Sequence, residues 1–232
     1  MQFRALIEEW PGESISYFRE LPGCISTAPT TEAALQAAPL AIGKYFSWLK
    51  ENGVVLFEEE VNPISVVLAE RLSGLENAGP LFIADRAAPD DQEIDNALNV
   101  AATTRALIIE LVSKVPAHLR DEVPTPGSWS LTRHLRHLME NETFYVSRLE
   151  ENPAPPQSAD SMDADGVSLK LFENAMDYEI VLRELTPGQR ARVFVHDGEE
   201  WTAAKVLRRL AGHLCEHYPW MHEIAEQVSG GK

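Results

Sequence analysis

His213 and His217 stand four residues apart, a spacing that places both imidazoles on one face of a helix with Cβ atoms about 6 Å apart. On a wheel of 100° per residue, Leu207, Leu210, Ala211, Leu214, Met221 and Ile224 define an inward stripe. His217 lies inside that stripe and His213 at its edge. A lone inward histidine is satisfied by ordinary core packing, but two on one face must each find a partner for their polar nitrogens, and a shared metal ion satisfies both at once. One helical face cannot surround a cation, so a third ligand must come from another helix. His134 and His137 compete for that place. Trp129, just ahead of the helix-capping Ser130, accounts for His134 as its packing partner in a hydrophobic staple, so His137 is the preferred third ligand.

Three neutral imidazoles with an open fourth position describe a catalytic rather than a structural site for zinc or a similar divalent metal. Water there is acidified to a pKa of about 7, or a thiol takes its place as thiolate. Glu140 and Glu216 each follow a ligand candidate by three residues. They are candidates for general base or for orienting the ligands, against the plainer role of solubilising surface carboxylates. The zinc-protease pattern HExxH is absent, because Leu214 occupies the position of the general base. Cys215 falls about 120° or more from both histidines on the wheel and reads as a packing residue. His118, His196 and His222 have no partner at useful spacing.

The elements that must hold these residues follow from periodicity. Ile94, Leu98, Ala101, Ile108 and Val112 mark one helix ended by Pro116. A second is expected from Ser130 to Leu149, a third from Ser168 to Leu185 and a fourth from Thr202 to about Val228. Trp129-Ser130 and Trp201-Thr202 open the second and fourth alike, each pairing a tryptophan with a hydroxyl N-cap. Pro219 is expected to kink the fourth. An all-α antiparallel four-helix bundle over residues 92–229 is the economical arrangement. The connection Glu151 to Val167 exceeds a bundle turn and reads as a mobile lid or a plain spacer. Its Ser161 to Gly166 run echoes a calcium loop only faintly, since Ser161 and Phe172 fall where carboxylates are needed.

Residues 1–85 read as an α+β domain. Phe3 to Ile7, Ser14 to Phe18 and Cys24 to Ser26, separated by Pro11-Gly12 and Leu21-Pro22-Gly23, predict an antiparallel meander. An Ala/Leu-rich helix from Thr31 to Leu49 covers it. Val54 to Phe57 and Leu81 to Ile83 are further strand candidates around a short helix at Ser65 to Leu72, giving a three- to four-stranded antiparallel sheet.

The 232 residues are sufficient for two cores. With 20 Lys+Arg against 36 Asp+Glu the formal charge is −16, and residues 1–90 already hold 13 acidic and 6 basic groups. Nucleic-acid binding needs cations in place of phosphate counterions, so no nucleic-acid partner is expected. No run approaches 18 consecutive apolar residues, which argues against a membrane partner. Two distant cysteines, with no basic and then apolar leader ahead of them, make a reducing cytoplasm the expected compartment.

Residues 92 to 228 resemble the DinB-like four-helix bundle superfamily, through Gly127-Ser128-Trp129-Ser130, His137 eight residues after the tryptophan, and Trp201-Thr202 followed by His213-x-x-x-His217. The resemblance implies a divalent metal, zinc or nickel, on His137, His213 and His217. It also implies a small-molecule substrate and thiol-dependent S-transferase or isomerase chemistry using a low-molecular-weight thiol. Another histidine further down the last helix, frequent in that family, is replaced here by Trp220, Met221 and an offset His222. Residues 2 to 60 resemble a HicB-type antitoxin domain, through Leu21-Pro22-Gly23-Cys24, Thr31, Glu32 and the Ala-rich helix. That second resemblance implies protein binding or dimerisation, so a homodimer is the expected assembly. The expected activity is that of a metal-dependent enzyme; the alternative is a non-enzymatic binding or regulatory protein with a metal-stabilised or degenerate bundle.

Overall fold

The structure is a computed structural model that describes residues 1–57, 63–74, 79–153 and 158–230. Strands β1 (Gln2–Trp10), β2 (Glu13–Phe18) and β3 (Ile25–Ala28) form the expected meander, and α1 (Thr31–Glu51) follows behind an N-cap at Thr30. The fourth strand, β4, is Ser65–Ser73, which pairs parallel to β1 and gives a mixed sheet in the order β3-β2-β1-β4. This corrects two expectations. The segment read as a short helix is a strand, because pairing with β1 outweighs the helix-forming Leu, Ala, Glu and Arg within it. Val54 to Phe57 and Leu81 to Ile83 are not strands: Val54, Leu56 and Phe57 pack as irregular chain on the α1 core, and Phe82 plugs the opposite face of the sheet.

The alternation of β1 buries both faces. Phe3, Ala5 and Ile7 meet Ala38, Ile42, Tyr45 and Leu49 of α1. Leu6 meets Ile15, Tyr17 and Phe82 on the other side, and Glu8 shares that side. A carboxylate in such a place must be paired. Its partners are Arg208, at 2.9 Å, and Arg209, at 2.6 Å; Arg208 also holds Asp85 at 2.7 Å.

Those arginines lie on α6 (Ala203–Gly230), the last of four long helices; the others are α2 (Asp91–Lys114), α3 (Leu131–Ser147) and α4 (Ala164–Arg183). A one-turn helix α5 (Pro187–Arg190) and a small hairpin of β5 (Phe194–His196) and β6 (Glu199–Trp201) link α4 to α6. Helix α6 continues through Pro219. The principal contacts run α2 to α6, α6 to α3, α3 to α4 and α4 to α2, so α2 and α3 occupy opposite corners of the ring.

The directions differ from a wholly antiparallel bundle. Ile94 and Leu98 at the start of α2 share a core with Leu207 and Leu210 at the start of α6, and Val112 near its end packs with Met221 and Ile224, so these two helices run parallel. Leu131 and Leu135 group with Val167, while Tyr145 and Val146 group with Leu182, so α3 and α4 are also parallel. Arg183 at the end of α4 pairs with Asp95 at the start of α2, and His134 and His137 of α3 meet His217 and His213 in reverse order. The chain therefore runs up, down, down, up.

A parallel α3–α4 pair needs a return crossover. Seventeen residues of α3 span about 25 Å, and the chain between the two helices must retrace that distance. The length read as a lid or spacer is thus required by topology. Residues 154–157 of that stretch lie outside the described residues; the remainder is pinned to α3, where Glu140 accepts a hydrogen bond from the Ala159 amide and Arg136 donates to the Met162 carbonyl. The faint calcium-like run is a helix start: Asp163 is the N-cap of α4, accepting from the Gly166 amide at 2.8 Å.

Two outcomes are expected. Glu8→Ala leaves the buried Arg209 guanidinium without a carboxylate and Arg208 with Asp85 alone, and should cost about 3–5 kcal/mol in chemical denaturation; a loss under about 1 kcal/mol would show that the pairing contributes little. Replacing residues 151–160 by a three-residue Gly/Ser linker should abolish the cooperative unfolding transition, whereas a shortened chain that retains it would refute the parallel crossover.

Candidate metal centre

The N-terminus of α3 is built around Trp129. Ser130 accepts from the Arg133 amide at 3.2 Å, Arg133 lies over the indole at 4.3 Å, and the His134 ring packs on it with centroids 5.1 Å apart. The indole also meets His137, edge to face, at 4.9 Å. Thr202 caps α6 in the same way, accepting from the Lys205 amide at 3.2 Å while its hydroxyl donates to the Asp85 carbonyl. Both caps fix the rotation of the helices that carry the histidines.

Because α3 and α6 are antiparallel neighbours, residues three apart on α3 meet residues four apart on α6. His137 Nε2 stands 3.0 Å from His213 Nε2, and His134 Nδ1 stands 2.8 Å from His217 Nδ1. One nitrogen from each of His137, His213 and His217 lies within 4.8 Å of the others. Neighbouring ligands of one tetrahedral cation sit about 3.3 Å apart, a separation that falls between the 3.0 Å of the His137–His213 pair and the 4.8 Å limit of the trio. Burial lowers all four imidazoles, reinforced by the neighbouring histidines at His134, His213 and His217 and by Arg133 at His137, where Glu140 opposes it: His134 falls to about 4, His217 to about 3, His137 below its usual value and His213 well below. At neutral pH they are uncharged and carry lone pairs, as ligation requires. His213 Nδ1 is buried without a hydrogen-bond partner, so that side chain depends on the cluster for its polar contacts.

The structure brings together the three histidines that the sequence nominates, and adds two residues to them. His134 is more than a staple partner, since it engages Nδ1 of His217 and leaves Nε2 of that ring for a cation. Asn141, one turn beyond His137, places its amide 3.1 Å from His137 Nδ1 and also donates to the His137 carbonyl at 2.8 Å. Its only sequence signal was the i,i+4 spacing.

The other two candidates, Glu140 and Glu216, have their closest contacts elsewhere. Glu140 is turned to the crossover, where it holds the Ala159 amide. Glu216 lies on the sheet-facing side of α6, in a different cavity. The pocket that opens over the histidines, about 520 Å³, has Trp129 and Trp220 as walls, Thr125 and Ser128 on one side and Glu223 at its rim. Cys215 contacts Thr104 at 3.4 Å and packs against Gly23, in keeping with a packing role. His118 and His222 are exposed, and His196 is engaged by the Arg148 carbonyl at 3.0 Å.

The fold is a helical bundle in which histidines of two antiparallel helices converge, and sequence comparison assigns its family. The DinB superfamily model matches residues 101–221, just over half of the chain, and the chain belongs to that superfamily. Among solved structures it is similar to YfiT from Bacillus subtilis, described as a probable metal-dependent hydrolase with an unusual four-helix bundle topology. The two share 20% identity with a TM-score of 0.52, over 65% of this chain and 95% of that one. At that identity the likeness concerns the fold. No curated protein sequence matches the chain. Residues 1–100 fall outside the family match, which therefore does not extend to the HicB-type resemblance.

Metal content separates ligand from support. Elemental analysis of untagged protein should find about one divalent ion per chain, with near-complete loss in His137→Ala and His213→Ala because too few donors remain. His134→Ala should retain the ion with affinity weakened about 10–100-fold. Full occupancy in either of the first two, or loss confined to the third, would reassign the site.

Proposed function

We propose that the protein is a metal-dependent enzyme acting on a small-molecule substrate, with His137, His213 and His217 as the ligands of one divalent ion, zinc or nickel. The observation that carries this reading is the convergence of three uncharged imidazoles beside an open, tryptophan-walled pocket that two of them, His137 and His217, line. Such an ion, when bound, supplies the Lewis acidity that makes water or a thiol nucleophilic at neutral pH. The chain's own residues do the rest. Trp129 and Trp220 exclude water from two sides and offer flat faces to an apolar substrate portion. His134 and Asn141 hold the rings of His217 and His137 in orientation. Glu223, which lines the pocket, holds the proton released as the nucleophile forms; Glu140, engaged with the Ala159 amide, and Glu216, in the sheet-side cavity, do not line it.

Transfer of a low-molecular-weight thiol and hydrolysis are the two reaction classes in view, and the HicB-like domain is read as a protein-binding module alongside them. Metal-loaded protein should be screened for thiol addition to electrophiles and for ester and amide hydrolysis, with a chelator control. In the active assay Glu223→Gln should lower kcat/KM about 10²-fold with metal content unchanged. Glu140→Gln and Glu216→Gln should change it less than about threefold, the range of surface carboxylates without a role in the reaction. A fully loaded protein inert in both screens would favour the non-enzymatic binding protein instead.

A further inference from the structure

On the side of α6 that faces the sheet, a second cavity of about 540 Å³ opens between α1, the β2–β3 turn and α6. Tyr45 and Trp48 of α1 stack at 5.8 Å to form one wall, and Tyr218 and Trp220 of α6 form the other. Glu216, one turn before Trp220 on α6, also lines it, and the exposed Glu13 and Lys44 stand at the mouth. Two carboxylates against one ammonium leave one net negative charge in an aromatic enclosure.

Glu216 makes no ion pair or side-chain hydrogen bond with another described residue, although it lines the cavity. The nearby guanidinium of Arg209 is already committed to Glu8 and Tyr17. Burial raises both thiols that line the cavity, Cys24 and Cys215, so neither is a ready nucleophile and the space is suited to binding rather than covalent chemistry. A carboxylate lacking a cation, surrounded by four electron-rich ring systems, selects for positive charge through both direct pairing and cation–π attraction.

We propose that this cavity binds a small organic monocation, an ammonium group on an apolar body of about aryl size, with the ammonium on Glu216 and the body between Trp48 and the α6 aromatics. Dications are disfavoured by Lys44 and anions by the net charge.

The test uses the full-length protein and three probes of one shape: phenethylammonium, 2-phenylethanol and 3-phenylpropionate, titrated by calorimetry and tryptophan fluorescence. Phenethylammonium should bind saturably, with the neutral and anionic probes at least tenfold weaker. Glu216→Gln, an isosteric change, should weaken the cation at least tenfold and leave the neutral probe unaffected; Trp48→Ala should weaken both. His137→Ala should leave the affinity unaltered, which separates this cavity from the histidine pocket. Equal binding of cation and neutral probe, indifference to Glu216→Gln in a folded protein, or no saturable binding of phenethylammonium would overturn the proposal. If Glu216→Gln fails to fold by circular dichroism, Glu216→Asp reads the same contact: a retained preference for cation over neutral probe supports it, and its absence overturns it.

Discussion

The arrangement of the molecule hangs on one electrostatic constraint. Glu8 sits in the central strand with no exposure to solvent, and an isolated carboxylate there would be intolerable. Arg208 and Arg209 reach it from α6, and Arg208 also reaches Asp85. Adjacent residues on a helix point about 100° apart, so engaging both with the same carboxylate clamps α6 in rotation as well as in position. Leu21-Pro22-Gly23-Cys24 adds a close approach a turn further along. Gly23 has φ +81°, and a Cβ there would come within 2.7 Å of Cys215 Sγ and 2.8 Å of Val100. Glycine is the residue that satisfies both conditions. The sheet and the bundle are thus packed through charge and close backbone contact together, and Val100 and Ala211 belong to the same core as Phe3 and Ile42.

With the rotation of α6 fixed, its faces acquire separate duties. Leu207, Leu210 and Leu214 fill the bundle, His213 and His217 are presented to α3, and Cys215 and Glu216 are left toward the sheet. The up-down-down-up order then decides what the histidines meet. Only an antiparallel neighbour brings His134 and His137 onto His217 and His213 in matched register, and α3 is that neighbour. The long crossover after α3 is the consequence, since α4 must start again from the end at which α3 began.

What could be read from the chain was what is local. The His213–His217 spacing, the paired Trp–hydroxyl helix starts and the apolar stripe on α6 all lie within one helix, and the structure brings His137, His213 and His217 together. Features that depend on how helices are turned against each other were not readable. Glu140 and Glu216 follow ligand candidates by three residues, but one is captured by the crossover and the other by the sheet side. The His134–His217 contact depends on interhelical register. Ser65–Ser73 is helical in composition and becomes a strand only because β1 offers a parallel edge. The periodicity starts α4 at Ser168, a turn after its actual start at Ala164, for a related reason: the helix leaves Leu169, Phe172, Met176 and Ile180 more than half exposed, so its apolar pattern does not mark one face cleanly.

The two cavities share a wall. Trp220 lines both, and its ring stands 5.2 Å from that of His217. Helix α6 cannot rotate to couple them, because moving Arg208 or Arg209 would strip Glu8 of its buried partners. The Trp220 side chain is under no such restraint: it is 47% exposed. The shortest route between the two cavities therefore runs through this indole, which lines both and packs edge to face on His217.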